Sequence, residues 1–107
     1  MTTTTFAIEH TVTFRLIHDL GSPKEAEFLN AASELAAIPG VQHFRIRRQT
    51  NSKNSHTHGI SMQFQTQGEY LAYCEHPAHV NFVQQRWLSE VADFQEADFE
   101  PLTISSE

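Results

Sequence analysis

Between Phe6 and Leu16 the even positions Phe6, Ile8, His10, Val12, Phe14 and Leu16 alternate with Ala7, Glu9, Thr11, Thr13 and Arg15. A period of two sends successive side chains to opposite faces, so this segment reads as a half-buried strand whose apolar face has one polar member, His10. Gly21-Ser22-Pro23-Lys24-Glu25 reads as a helix start. Ser22 can cap free backbone N–H groups, Pro23 suits the first turn, and Glu25 stands at the capping-box position. Phe28, Leu29, Ala32, Leu35 and Ala36 follow at helical spacing, until Pro39-Gly40 ends the helix. From Val41 to Gln49, Phe44 and Ile46 share one face and Arg45 and Arg47 the other, as in a second strand.

The polar stretch Asn51 to Ser55 is too short for a helix and predicts a hairpin link to a third strand over about His56 to Gln65. The even face of that strand, His58, Ile60, Met62 and Phe64, is again led by a histidine. Gln67 to Glu75 carries Tyr70, Leu71 and Tyr73 in a helical rhythm, and Pro77 breaks it because residue 76 is pushed out of helical geometry. A helix restarting at Pro77 is expected to turn Val80, Val83, Trp87 and Val91 inward, with a last strand over about Phe94 to Leu102. There is no internal repeat. The order strand, helix, strand, strand, broken helix, strand predicts an α+β fold: one four-stranded antiparallel sheet with its helices on one face.

Composition narrows the partners. The 107 residues suffice for one domain, expected over residues 6–102 between polar tails at 1–5 and 103–107. Thirteen acidic against seven basic residues give a formal charge of -6, which repels phosphate backbones and anionic lipid, so neither nucleic acid nor a membrane is an expected partner. Cys74, the lone cysteine, can form no internal disulfide, and Met1 to Thr5 show neither a basic start nor an apolar run. No stretch approaches the ~20 apolar residues of a membrane span. A cytoplasmic location is the expectation. Seven histidines are many for this length, and the candidate chemistry lies with them.

Several pieces together resemble a known family. They are Glu9-His10-Thr11-Val12 in the first strand, Ile38-Pro39-Gly40-Val41 after the first helix, His58-Gly59 in the third strand, and Tyr70-Leu71-Ala72-Tyr73. The run His76-Pro77-Ala78-His79-Val80-Asn81-Phe82 and Asp98-Phe99-Glu100 complete the set. From about Ile8 to Leu102 the chain resembles the stress-responsive A/B barrel, or dimeric α/β barrel, family. That resemblance implies a ferredoxin-like βαββαβ subunit and a homodimer whose two sheets face each other to form a dimeric α/β barrel. The polar face made of Thr11, Thr13, Arg15, Arg45, Arg47, Ser61 and Gln63 would then meet its own copy rather than water. The resemblance implies no single reaction, since one fold hosts many functions. The site is similar to that of a plant member that closes a linear polyketide by an intramolecular aldol condensation without a cofactor. On that likeness Tyr73 and His79 would be catalytic and His10 and His58 would bind substrate. Ala31, Ala32 and Glu96 depart from that enzyme's pocket walls.

Local physics bears on these assignments. If His76 caps the restarted helix, His79 lies in its first turn, where the positive end of the helix dipole disfavours the imidazolium and leaves an available base. Tyr73 could offer its hydroxyl to a carbonyl or enolate oxygen. Asp98 could hold the other nitrogen of His79 and join the substrate-binding set. The bland reading makes these side chains structural: histidines and tyrosines bridging a helix break, with His10 and His58 in a buried network. His18 and His43 read as solvated and Trp87 as core. His56-Thr57-His58 on one strand face and His76-x-x-His79 on one helix side give a weak metal signal with no cysteine pair to join them, and no metal is expected. Two function classes follow. One is a cofactor-independent cyclase or lyase acting on a small carbonyl or acidic ligand, in a pocket lined by His10, His58, Tyr73 and His79 beside Phe14, Phe44 and Met62. The other is a non-catalytic, stress-associated structural dimer.

Overall fold

The computed structural model describes residues 6–104. The chain runs β1 (Ile8–Leu16), α1 (Pro23–Ser33), a 3-10 turn (Glu34–Ala37), β2 (Gln42–Arg48), β3 (His58–Phe64), α2 (Gln67–Glu75), α3 (Pro77–Phe82), a π-turn (Val83–Trp87), α4 (Leu88–Glu90) and β4 (Val91–Phe99). The strands form one sheet in the order β2-β3-β1-β4, every pairing antiparallel. With the helices on one face this is a ferredoxin-like α+β subunit. Of the expected tails, 1–5 and 105–107 lie outside the described residues.

The core forms where the even face of β1 meets the helices. Phe14, Phe28 and Phe64 are fully enclosed, and Met62 nearly so. Burying each such side chain contributes ~1.5–3 kcal/mol. Ser22 caps α1 by accepting from the Glu25 N–H, and the Glu25 side chain reaches back to accept from the Gly21 N–H at 2.8 Å. The 3-10 turn rotates Ala36 outward, although helical spacing placed it inward. Gly40 closes the following turn at φ +90°, a conformation L side chains avoid; a Cβ there would also stand 3.2 Å from Glu69.

The last third of the chain departs from expectation. β4 begins at Val91, not Phe94, because the π-turn advances the helix end and Val91 already pairs with Leu16. Val80 is exposed rather than inward. His18 is not solvated: its Nε2 lies 2.7 Å from Glu90 Oε1 and its side chain is largely covered. His56 and His58 do not share a face. His56 turns to the outer face, bonded to Thr13 and Asp93 at 2.7 Å each, while His58 stacks on Phe14 in the core. Among the described residues no helix is long and apolar enough to cross a membrane.

Candidate functional site

The break between α2 and α3 builds the site. Thr66 caps α2, and His76 both ends that helix and caps α3, its side chain accepting from the Ala78 N–H, with Pro77 as first residue. Tyr73 in the last turn of α2 and His79 in the first turn of α3 are thereby brought ring to ring, with centroids 4.6 Å apart. The His79 Nδ1–H donates to the Cys74 carbonyl oxygen at 3.0 Å. Further along, the π-turn carries Val83 and Trp87 onto the sheet, and Trp87 packs against Phe14, Phe28 and, edge-on, Phe94.

Between these elements lies a cavity of about 270 Å³. An engineered apolar cavity of ~150 Å³ already admits benzene, so this one has room for a substituted ring or a short branched chain. Its sheet wall is His10, Val12, Ile60 and Met62, and its helix wall includes Tyr73, His79, Phe82 and Trp87. Phe94 and Glu96 of β4 form the rim. The interior is apolar apart from one pole, where His10, Tyr73, His79 and Glu96 gather.

Burial pushes the His79 imidazole below its ordinary pKa, and nearby His10 adds to this; the Cys74 carbonyl and Glu96 oppose it without reversing it. The ring is therefore neutral near pH 7. Burial also raises the Tyr73 phenol well above its ordinary range, with the Glu96 charge adding to the effect, so the hydroxyl keeps its proton. That hydroxyl has no hydrogen-bond partner among the described residues. Cys74 is likewise raised, by burial first, and stays a thiol.

Of the five site residues expected from sequence, His10, Tyr73 and His79 line the cavity. His58 does not. Its Nε2 pairs with Glu25 Oε2 at 2.9 Å beneath α1, away from the cavity lining. Asp98 stands behind the site rather than in it, and its partner is His10, not His79. Residues His10 and Asp98 lie directly opposite in the β1–β4 ladder, with Nδ1 to Oδ1 at 2.6 Å. Of the expected wall residues, Met62 is present while Phe14 and Phe44 are not; Ala32 is sealed in the core and Leu35 stands at the cavity instead. Sequence reasoning missed Tyr70, whose hydroxyl donates to Asp98 Oδ2 at 2.9 Å and lies 3.0 Å from His10 Nδ1. Its spacing of three from Tyr73, one helical turn, was the available signal. The histidines singled out as metal ligands do not converge, and among the described residues no three His, Cys, Asp or Glu side chains are grouped to hold a metal.

Fold and site together define a ferredoxin-like α+β protein with a small, mostly apolar cavity and a histidine–tyrosine pole. The stress responsive A/B barrel domain model matches residues 8–101, and the chain belongs to that family. A Dabb family protein with a ferredoxin-like fold from Mesorhizobium loti is 44% identical, with a TM-score of 0.89 over 92% of this chain and 99% of that one. A dimeric ferredoxin-like protein of unknown function from Thermobifida fusca is 23% identical, with a TM-score of 0.71 over 91% and 92%. The hydroxynitrile lyase of Passiflora edulis shares the fold at 12% identity, with a TM-score of 0.80 over 95% and 99%. No curated protein matches the chain.

Proposed function

We propose that the protein binds a small carbonyl compound in the cavity and moves a proton on it without a cofactor, as an aldol-type cyclase or lyase. The observation that carries this reading is the Tyr73–His79 pair: a neutral imidazole in ring contact with a phenol that keeps its proton, both facing the same cavity. Nε2 of His79 removes a proton from the carbon next to a carbonyl. The C–H electron pair becomes the C=C bond of an enolate, and the Tyr73 hydroxyl hydrogen-bonds the oxygen that gains charge. For cyclisation that carbon attacks a second carbonyl of the same molecule, whose π pair moves onto its oxygen, and that oxygen takes the proton back from the His79 imidazolium. In the lyase direction His79 takes the proton of the hydroxyl, the carbon–carbon bond breaks as that oxygen becomes a carbonyl, and the imidazolium gives the proton to the enolate carbon. The Passiflora enzyme supports only the compatibility of this fold with a lyase.

The same reading takes the protein as a cytoplasmic homodimer joined through the outer sheet face, with no nucleic-acid or membrane partner. A dimeric relative of the same fold supports the homodimer. So does the ordering of the outer face by Thr13–His56–Asp93 and by the Arg47–Ser61 contact, Ser61 being buried.

Proton exchange tests the reaction. In deuterated buffer the protein is expected to accelerate exchange at the carbon next to the carbonyl of small ketones and 1,3-diketones, and His79→Ala and Tyr73→Phe should each abolish the acceleration. Absence of acceleration across such a panel would leave the structural dimer, with its histidines in a hydrogen-bond network, as the better account.

A further inference from the structure

Both imidazoles of the cavity are held from behind by acceptors. Behind His10 stands the Asp98 carboxylate, which has no proton to give, so at 2.6 Å it must receive one from Nδ1. Tyr70 adds to this. Its hydroxyl proton goes to Asp98 Oδ2, so toward His10 Nδ1 it offers only a lone pair. Behind His79 the acceptor is the Cys74 carbonyl oxygen, which is equally unable to donate. With the proton fixed on Nδ1 in both rings, each imidazole in its one-proton form carries its free lone pair on Nε2.

These two nitrogens have no hydrogen-bond partner among the described residues, and neither is walled in by protein; both rings line the cavity. Beside His10 Nε2, at 3.8 Å, is a Glu96 oxygen, a further acceptor and a negative charge. The Tyr73 hydroxyl is the one proton donor at this pole. A carboxylate ligand would face lone pairs and a like charge there. A neutral ligand bearing its own O–H would find acceptors waiting, and a carbonyl beside that O–H would take the Tyr73 proton.

Building on the reading of the cavity as a small-molecule site, we propose that its ligands are neutral hydroxycarbonyl compounds with an apolar remainder. The ligand hydroxyl donates to the bare Nε2 of His10, and its carbonyl accepts from Tyr73. Asp98 and Tyr70 are positioning residues that set the proton on His10. Neither touches the ligand.

Three probes sharing a phenyl ketone separate the possibilities: 2-hydroxyacetophenone, acetophenone and benzoylformate, titrated into the full chain at about pH 8 and followed by NMR. The hydroxyketone is expected to bind ~5- to 10-fold tighter than acetophenone, the worth of about one hydrogen bond, with benzoylformate weakest. Nitrogen-15 spectra of the free protein should show His10 and His79 as Nδ1–H tautomers. Asp98→Asn, on an exposed edge strand, should let His10 populate the Nε2–H form and erase the hydroxyketone advantage. Tyr70→Phe should move the tautomer the same way by less. Benzoylformate or acetophenone binding as well as the hydroxyketone would overturn the ligand class while leaving the cavity a binding site. Failure of all three to bind would overturn both readings. A His10 tautomer unmoved in both variants would remove the positioning role.

Discussion

Glu25 and His58 meet under α1 with Oε2 2.9 Å from Nε2, their side chains 7% and 3% exposed. The Thr57 hydroxyl lies 2.8 Å from the other ring nitrogen, and Phe14 stacks on the ring face. A neutral His58 donates to Glu25, and its other nitrogen accepts when the Thr57 hydroxyl turns its proton to the ring rather than to the Phe14 carbonyl oxygen at 3.4 Å. Burial holds His58 below the ordinary imidazole pKa, and the Glu25 charge opposes this without reversing it. For Glu25, burial alone would raise the carboxyl, but the Gly21 N–H, His58 and Arg48 outweigh it and hold it below the ordinary range.

Both shifts make the fold acid-labile. A histidine that protonates less readily folded than unfolded loses stability as pH falls below its unfolded value of about 6.5. A carboxylate held low contributes stability above its unfolded pKa and loses it as pH falls through its folded pKa, so Glu25 extends the same trend toward lower pH. Denaturant midpoints should drop between about pH 7 and pH 5. Glu25→Ala at pH 7 should cost ~3 kcal/mol, because it leaves a buried donor on His58 unpaired. A flat profile over that interval would contradict this account.

Tyr73→Phe should change stability by less than ~0.5 kcal/mol, since the hydroxyl gives up no bond to the protein. Tyr73→Ala should cost ~3–5 kcal/mol through the lost ring. A large loss in the phenylalanine variant would assign the hydroxyl a buried partner and favour a structural role.

Proton titration by NMR should place His79 below free imidazole, for burial disfavours the charged ring. Ketone exchange should then be level through neutral pH and fall only when acid protonates the ring. A value at or above free imidazole would remove its role as base. Asp98, once a plausible cause of such a rise, is instead committed to His10.

Light scattering at micromolar concentration should return twice the chain mass of 12.2 kDa. A clean monomer there would defeat the homodimer.

The alternation in β1 and the proline-broken helix were legible because each is local: period two, a cap, and a ring that removes one N–H. Long-range pairing was not. His10 and His58 look alike in sequence, each a polar residue on an apolar strand face, yet Glu25 lies above one and the cavity above the other. Which histidine Asp98 would meet depended on the β1–β4 register, and no pattern in either strand specifies that. The start of β4 was hidden because apolar spacing carried on through Trp87 to Val91, and a single π-turn altered the phase between them.

Trp87, the chain's one tryptophan, stands where that π-turn meets the cavity wall, edge-on to Phe94. The molecule therefore carries its own optical reporter. A guest in the cavity must displace solvent or aromatic neighbours around a single indole, so its arrival can be followed by emission from the unlabelled protein. With no second tryptophan to dilute the signal, a change in colour or yield refers to this one place.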